Sequence, residues 1–140
     1  MITDCQMLEI ASKTSVKVPK KKMTRLAEAV LLKEKKEDKD VSVVLLGPKE
    51  MQRINRQYRG REYVPNVLSF AGEGFLLGEI ALCPAVIRKD AREYGITNEY
   101  ALCWMFLHGL LHLLGRDHAT NQDHNVMSAE EQHYLSLIFS

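Results

Sequence analysis

The chain has no apolar run long enough to cross a bilayer. Its longest, ALCWMFL, falls far short of the ~20 residues a membrane span needs. MITDCQMLEI, at the start, shows no basic segment leading into an apolar one, so a secretory signal is not expected. Cysteine is scarce and unpatterned. Cys5, Cys83 and Cys103 are odd in number, far apart and free of any C-x-x-C pair, which argues against a disulfide framework and for small buried thiols in a reducing compartment. Charge of one sign is also lacking: 19 Lys and Arg against 18 Asp and Glu leave a formal +1, so any contact with a polyanion must come from a local patch. There is no internal repeat and no low-complexity tract. What remains is a cytoplasmic, soluble protein of 140 residues with 46% hydrophobic content, one domain's worth of chain with enough apolar material for a real core.

The periodicity predicts an α+β domain with one small, mixed four-stranded sheet and about five helices. Met7 to Ala11 reads as a strand. Lys20 to Lys36 reads as an amphipathic helix through Met23, Leu26, Ala27, Val30 and Leu31. VSVVLLG, from Val41 to Gly47, is β-branched and stopped by Gly-Pro, which marks a buried strand, and Pro48 opens a helix to about Tyr58. Asn66 to Leu82 breaks at Gly72-Glu73-Gly74 into a hairpin. Pro84 starts a helix that Gly95 ends, and Thr97 or Asn98 caps a long helix running to Gly115. A last helix is expected from about Ser128 to Phe139, its start marked by the S-x-x-E pair Ser128 and Glu131.

The informative stretch is HGLLHLLGRDH, His108 to His118, with three histidines in an apolar setting. Residues four apart on a helix share a face, so His108 and His112 can present two nitrogens to one point. Gly115 can then turn the chain back so that His118 reaches the same point. Three histidines leave a tetrahedral metal one position for water, whose pKa such a metal lowers to about 7. His124 and His133 lie among polar residues and read as solvent-facing. The spacing is also that of metzincin proteases, but the glutamate that serves them as general base is here Gly109, so peptide hydrolysis lacks its main group.

The same stretch resembles the signature H-G-x-L-H-L-x-G-y-D-H of the YbeY family of bacterial and organellar endoribonucleases, also called ribosomal RNA maturation factors. INRQYRG (Ile54 to Gly60), NVLSF (Asn66 to Phe70) and LGEI (Leu77 to Ile80) are similar to further segments of that family, in the same order. The resemblance implies a single YbeY-like domain over residues 1–140 with a metzincin-like metal-site helix. It implies one zinc ion on His108, His112 and His118, and single-strand-specific cleavage of RNA in ribosomal RNA processing (16S 3′-end maturation) and ribosome quality control. Arg59, His112 and Asp117 are then the expected catalytic residues, with Arg59, Asn66 and Ser69 binding substrate. The expected partners are single-stranded rRNA on the ribosome and ribosomal proteins, with neither membrane nor DNA.

On physical grounds, a guanidinium such as Arg59 suits the non-bridging oxygens of a phosphodiester, and Arg53, Arg56 and Arg61 could extend a basic strip along the RNA backbone. In NVLSF the alternation puts Val67 and Ser69 on one face, Leu68 and Phe70 on the other. Core packing is the favoured role for Phe70 and Trp104, a solvated helix face for Lys20, Lys21 and Lys22, and local backbone bonding for Asp117. The chain departs from the family pattern at Pro65, where threonine is usual, at Glu79 in place of aspartate, and at Arg116, which would add a positive charge beside the metal. Two other readings stay open: a metal-dependent hydrolase of another substrate, and a ribosome assembly factor whose metal holds the fold together.

Overall fold

The computed structural model describes residues 7–117 and 119–139. Along them run β1 (Leu8–Ser12), α1 (Lys20–Lys33), β2 (Asp40–Leu45), α2 (Pro48–Arg59), β3 (Val67–Ala71), β4 (Leu76–Leu82), α3 (Pro84–Tyr94), α4 (Asn98–Leu113) and α5 (Asn121–Ile138). The strands form one sheet in the order β1-β2-β4-β3, parallel except for β3, which runs antiparallel to β4. This is the α+β domain, with a mixed four-stranded sheet and five helices, that the periodicity predicts.

The alternation of β2 decides how the layers stack. Val41, Val43 and Leu45 point into the main core, where they meet Ile80 and Leu82 of β4 and the buried stripe Met23, Leu26, Ala27, Val30 and Leu31 of α1. Helices α3, α4 and α5 complete that core. On the opposite face a smaller cluster of Leu46, Leu68, Ala81 and Cys83 is covered by Met51 of α2. Cys83 and Cys103 are both buried, and burial pushes the Cys103 thiol up to about 12, as suits packing groups rather than nucleophiles. Cys5 lies outside the described residues.

Helix boundaries follow local chemistry. Pro48 and Pro84 occupy first helical positions, and the Thr97 hydroxyl accepts from Tyr100 N–H to cap α4. Helix α1 stops at Lys33, before the expected Lys36, because Lys35 turns left-handed at φ 59° and Lys36 N–H closes back on the Leu31 carbonyl. The larger difference is α5. It begins at Asn121, where the Thr120 hydroxyl accepts from Asp123 N–H, so Ser128 and Glu131 are mid-helix residues and not its cap.

Two glycines set how closely α4 lies on the sheet. A Cβ at Gly109 would stand 3.0 Å from Ile80 Cγ2 and 3.2 Å from Val67 Cγ2; one at Gly78 would stand 2.5 Å from Leu113 Cδ2 and 2.5 Å from the Phe70 carbonyl oxygen. The H-G and L-G-E segments noted in the sequence therefore meet across the helix–sheet contact. That contact places the histidines beside edge strand β3.

Candidate functional site

Helix α4 is a rigid platform: Phe106, Leu107, Leu110 and Leu111 are fully buried around it. His108 and His112, one turn apart, are half-buried and converge, with their Nε2 atoms 3.2 Å apart. Two imidazole nitrogens on one tetrahedral zinc, each at 2.0–2.1 Å, stand about 3.3 Å apart, so the pair fits a shared metal. Gly115 takes φ 92° directly after the helix, the turn expected to bring the chain back. His118, the third expected ligand, lies outside the described residues. Among the described residues no group of three or more His, Cys, Asp or Glu side chains is placed to hold a metal ion.

The local order of His108 comes from a residue whose sequence pattern pointed to a helix cap. Glu131 of α5 is only 6% exposed; its Oε2 lies 2.7 Å from His108 Nδ1, and its Oε1 accepts from Trp104 Nε1–H at 3.0 Å. A carboxylate there keeps the His108 proton on Nδ1 and the lone pair on Nε2, the nitrogen turned toward His112. One signal in the sequence points to this role. Met127, Glu131, Tyr134 and Leu135 share the buried stripe of α5, where an unpaired carboxylate would not be tolerated.

A cleft of about 480 Å³ opens in front of the histidines, lined by Arg59 and Arg61 at and after the end of α2, Asn66 and Ser69 at β3, and His108 and His112. Arg59 Nη2–H donates to the Ser69 carbonyl at 2.8 Å, and its guanidinium lies over the Phe70 ring, 5.3 Å from the centroid. Cys83 N–H bonds the Asn66 carbonyl and Gly72 N–H the Leu77 carbonyl, so alternate residues of β3 turn their backbone groups toward β4. Val67, Ser69 and Ala71 point theirs outward. The arginine is thus clipped to an open sheet edge beside the helix that carries His108 and His112. Asn55, 1% exposed, holds the following loop by donating to the Tyr63 carbonyl at 2.9 Å. Asn66 donates to Asp90 Oδ2 at 3.1 Å, a partner the sequence does not suggest.

Not every expected residue gathers there. Asp117 is exposed in the turn after α4 and lines a separate depression with Gly115 and Asp123, not the cleft. The basic strip is broken, because Arg53 pairs with Glu50 and Arg56 pairs with Glu62 at 3.1 Å, leaving Arg59 and Arg61 as its cleft members. Arg116 does not add an unpaired charge beside the histidines. It bridges Glu130 and Glu34, with Nη2 at 2.7 and 2.8 Å from their carboxylates, tying the turn after α4 to α5 and α1. Phe70 and Trp104 are half-buried and pack against the core clusters, as expected. His124 and His133 are exposed, as expected. Lys22 pairs with Glu99 at 3.5 Å, and Lys20 and Lys21 are exposed at the start of α1, in keeping with a solvated face.

Comparison with known proteins gives a consistent result. A family profile described as Endoribonuclease YbeY matches residues 8–138. A protein of Bdellovibrio bacteriovorus named Endoribonuclease YbeY is 40% identical over 101 residues, covering 71% of this chain and 67% of that protein. One of the same name from Neisseria meningitidis is 41% identical over 102 residues, covering 66% of this chain and 60% of its own length. The matched stretch thus spans about three-fifths to two-thirds of these relatives. Among solved structures, the solution structure of TM1509 from Thermotoga maritima superposes with a TM-score of 0.68 at 28% identity, covering 95% of this chain and 89% of that one.

Proposed function

This chain belongs to the endoribonuclease YbeY family, and from that premise we propose that it is a metal-dependent endoribonuclease of single-stranded ribosomal RNA. Its expected place is the reducing cytoplasm, in 16S 3′-end maturation and ribosome quality control. The observation that carries the reading is one cleft in which paired imidazoles face an arginine clipped to the adjacent strand. His108 and His112 would hold the metal, zinc being the ion their chemistry and spacing suit, with His118 as third ligand. When bound, such an ion supplies Lewis acidity and an acidified water for hydrolysis of a phosphodiester.

The protein's own groups do the rest. Glu131 holds His108 in the ligating tautomer. A guanidinium has five N–H donors, so Arg59 can remain on the Ser69 carbonyl while turning others to the non-bridging oxygens, where charge builds during attack. Arg61 adds positive potential at the same wall. Gly109 borders the cleft but supplies no general base, and a side chain there would have to displace Ile80 and Val67, 3.0 and 3.2 Å from its Cβ, so the site lacks the carboxylate a peptidase would use.

The test is metal content together with cleavage of single-stranded rRNA, for wild type, His112→Ala and Arg59→Glu. Wild type should carry about one zinc and cut; His112→Ala should lose both; Arg59→Glu should keep the metal and cut roughly 100-fold more slowly. A zinc-loaded wild type that leaves every RNA intact would overturn the nuclease reading and favour a metal-stabilised assembly factor.

A further inference from the structure

Behind His108 lies a second, partly open cavity, also about 480 Å³, between α3, α4 and α5. Asn66 and His108 line both chambers, so they form a common wall. The chemistry changes sign across it. The cleft carries Arg59 and Arg61, whereas no lysine or arginine among the described residues lines the rear chamber, where Asp90, Glu93 and Glu131 outnumber the imidazoles of His108 and His124 and stand with the aromatic rings of Tyr94 and Trp104.

We propose that this rear chamber is a nucleobase subsite that selects a base bearing an amino group, guanine above all and uracil least. The proposal rests on the ribonuclease reading of the cleft and assigns what lies beside the phosphate. A sugar-phosphate backbone is repelled by three carboxylates and retained by two arginines, so it stays in front of the wall. A base is neutral and brings N–H donors, which carboxylates accept.

Helix α3 puts the recognising groups on one face, with Asp90, Glu93 and Tyr94 at i, i+3 and i+4. Asp90 gives Oδ2 to Asn66, and its Oδ1 has no partner among the described residues. Tyr94 is 70% exposed at the chamber and meets Trp104 edge-on, with centroids 6.0 Å apart, which leaves its ring available for stacking. Guanine offers N1–H and N2–H side by side to the two oxygens of one carboxylate. Cytosine and adenine offer one amino group each, and uracil offers a single imino proton between two carbonyls that face the acids unfavourably.

Trp104 is the only tryptophan of the chain and stands on the chamber wall, so its fluorescence reports on the site directly. The full chain is titrated with GMP and with UMP. GMP should quench Trp104 at a concentration about tenfold lower than UMP, and Glu93→Gln and Tyr94→Ala, both at exposed positions, should each shrink that ratio. Equal quenching by the two nucleotides, or a ratio untouched by both variants, overturns the subsite. Cleavage of random-sequence single-stranded RNA by the zinc-loaded wild type is read in parallel. If wild type cuts but Trp104 does not discriminate, the subsite falls and the nuclease stands. If wild type cuts nothing while Trp104 still prefers GMP, the nuclease reading falls and a base-binding chamber remains.

Discussion

Replacing Glu131 by glutamine removes one charge and almost no volume, and the supply of donors and acceptors around it decides the outcome. The carboxylate serves two donors, the Trp104 indole N–H at 3.0 Å and His108 Nδ1 at 2.7 Å, in a side chain 7% exposed. Glutamine has one acceptor oxygen and one donor amide, and an indole N–H can only donate. With the oxygen on Trp104, the amide faces Nδ1 and drives the His108 proton onto Nε2, the atom 3.2 Å from His112 Nε2 and the one a metal needs deprotonated. With the oxygen on His108, two donors oppose each other in a buried place at a cost of about 1–3 kcal/mol. Glu131→Gln should therefore lower zinc affinity about 10- to 100-fold, measured by competition with a chelator. Urea denaturation of the metal-free protein and the ring-nitrogen NMR shifts of His108 separate the two arrangements. Unchanged zinc affinity with an unchanged tautomer would show that Glu131 merely fills space, and would refute the orienting role.

Three further perturbations test the frame around the site. Gly78→Ala sets a methyl 2.5 Å from the Phe70 carbonyl oxygen, and backbone cannot yield as a flexible side chain can. A loss of about 3 kcal/mol is expected, a fall of roughly 10–15 °C in Tm by calorimetry. Glu34→Gln tests the Arg116 bridge: the Arg116 guanidinium bonded to Glu34 holds that carboxyl below its ordinary 4.5. A lowered carboxylate pKa stabilises the fold above the ordinary value, and the gain is lost as pH falls through the lowered one. The variant should be about 1 kcal/mol less stable at about pH 7, and the gap should close as pH falls below the ordinary carboxylate range in denaturant melts. Gly109→Glu, which restores the metzincin motif on paper, should acquire no casein-cleaving activity and should melt earlier, because its Cβ meets Ile80 and Val67 at 3.0 and 3.2 Å.

The parts of this molecule that could be read from the sequence are those decided over a few residues. The stripe of α1, the alternation of β2, the break at Gly72-Glu73-Gly74 and the pairing of His108 with His112 are all matters of period, and each forms as expected. The misreadings share one cause. Ser128 and Glu131 fit a capping pattern locally, but Thr120 caps the same helix two turns earlier, and an α-helix once started runs on through residues able to begin one. Arg116 adjoins the histidine turn in sequence, yet its charge is spent on Glu34, 82 residues away, and Glu130, 14 residues away. Partners at such distances are chosen by the packing of α1, α4 and α5, which no local pattern encodes. Glu131 was recoverable in part: a glutamate in the buried stripe of α5 had to find donors, and only an element packed against that stripe could supply them. Helix α4, carrying the histidines and Trp104, is such an element. The histidine helix and the carboxylate that orients His108 are thus two consequences of one core, so loosening the α4–α5 contact should weaken the proposed zinc binding, read by chelator competition, even where no ligand is touched.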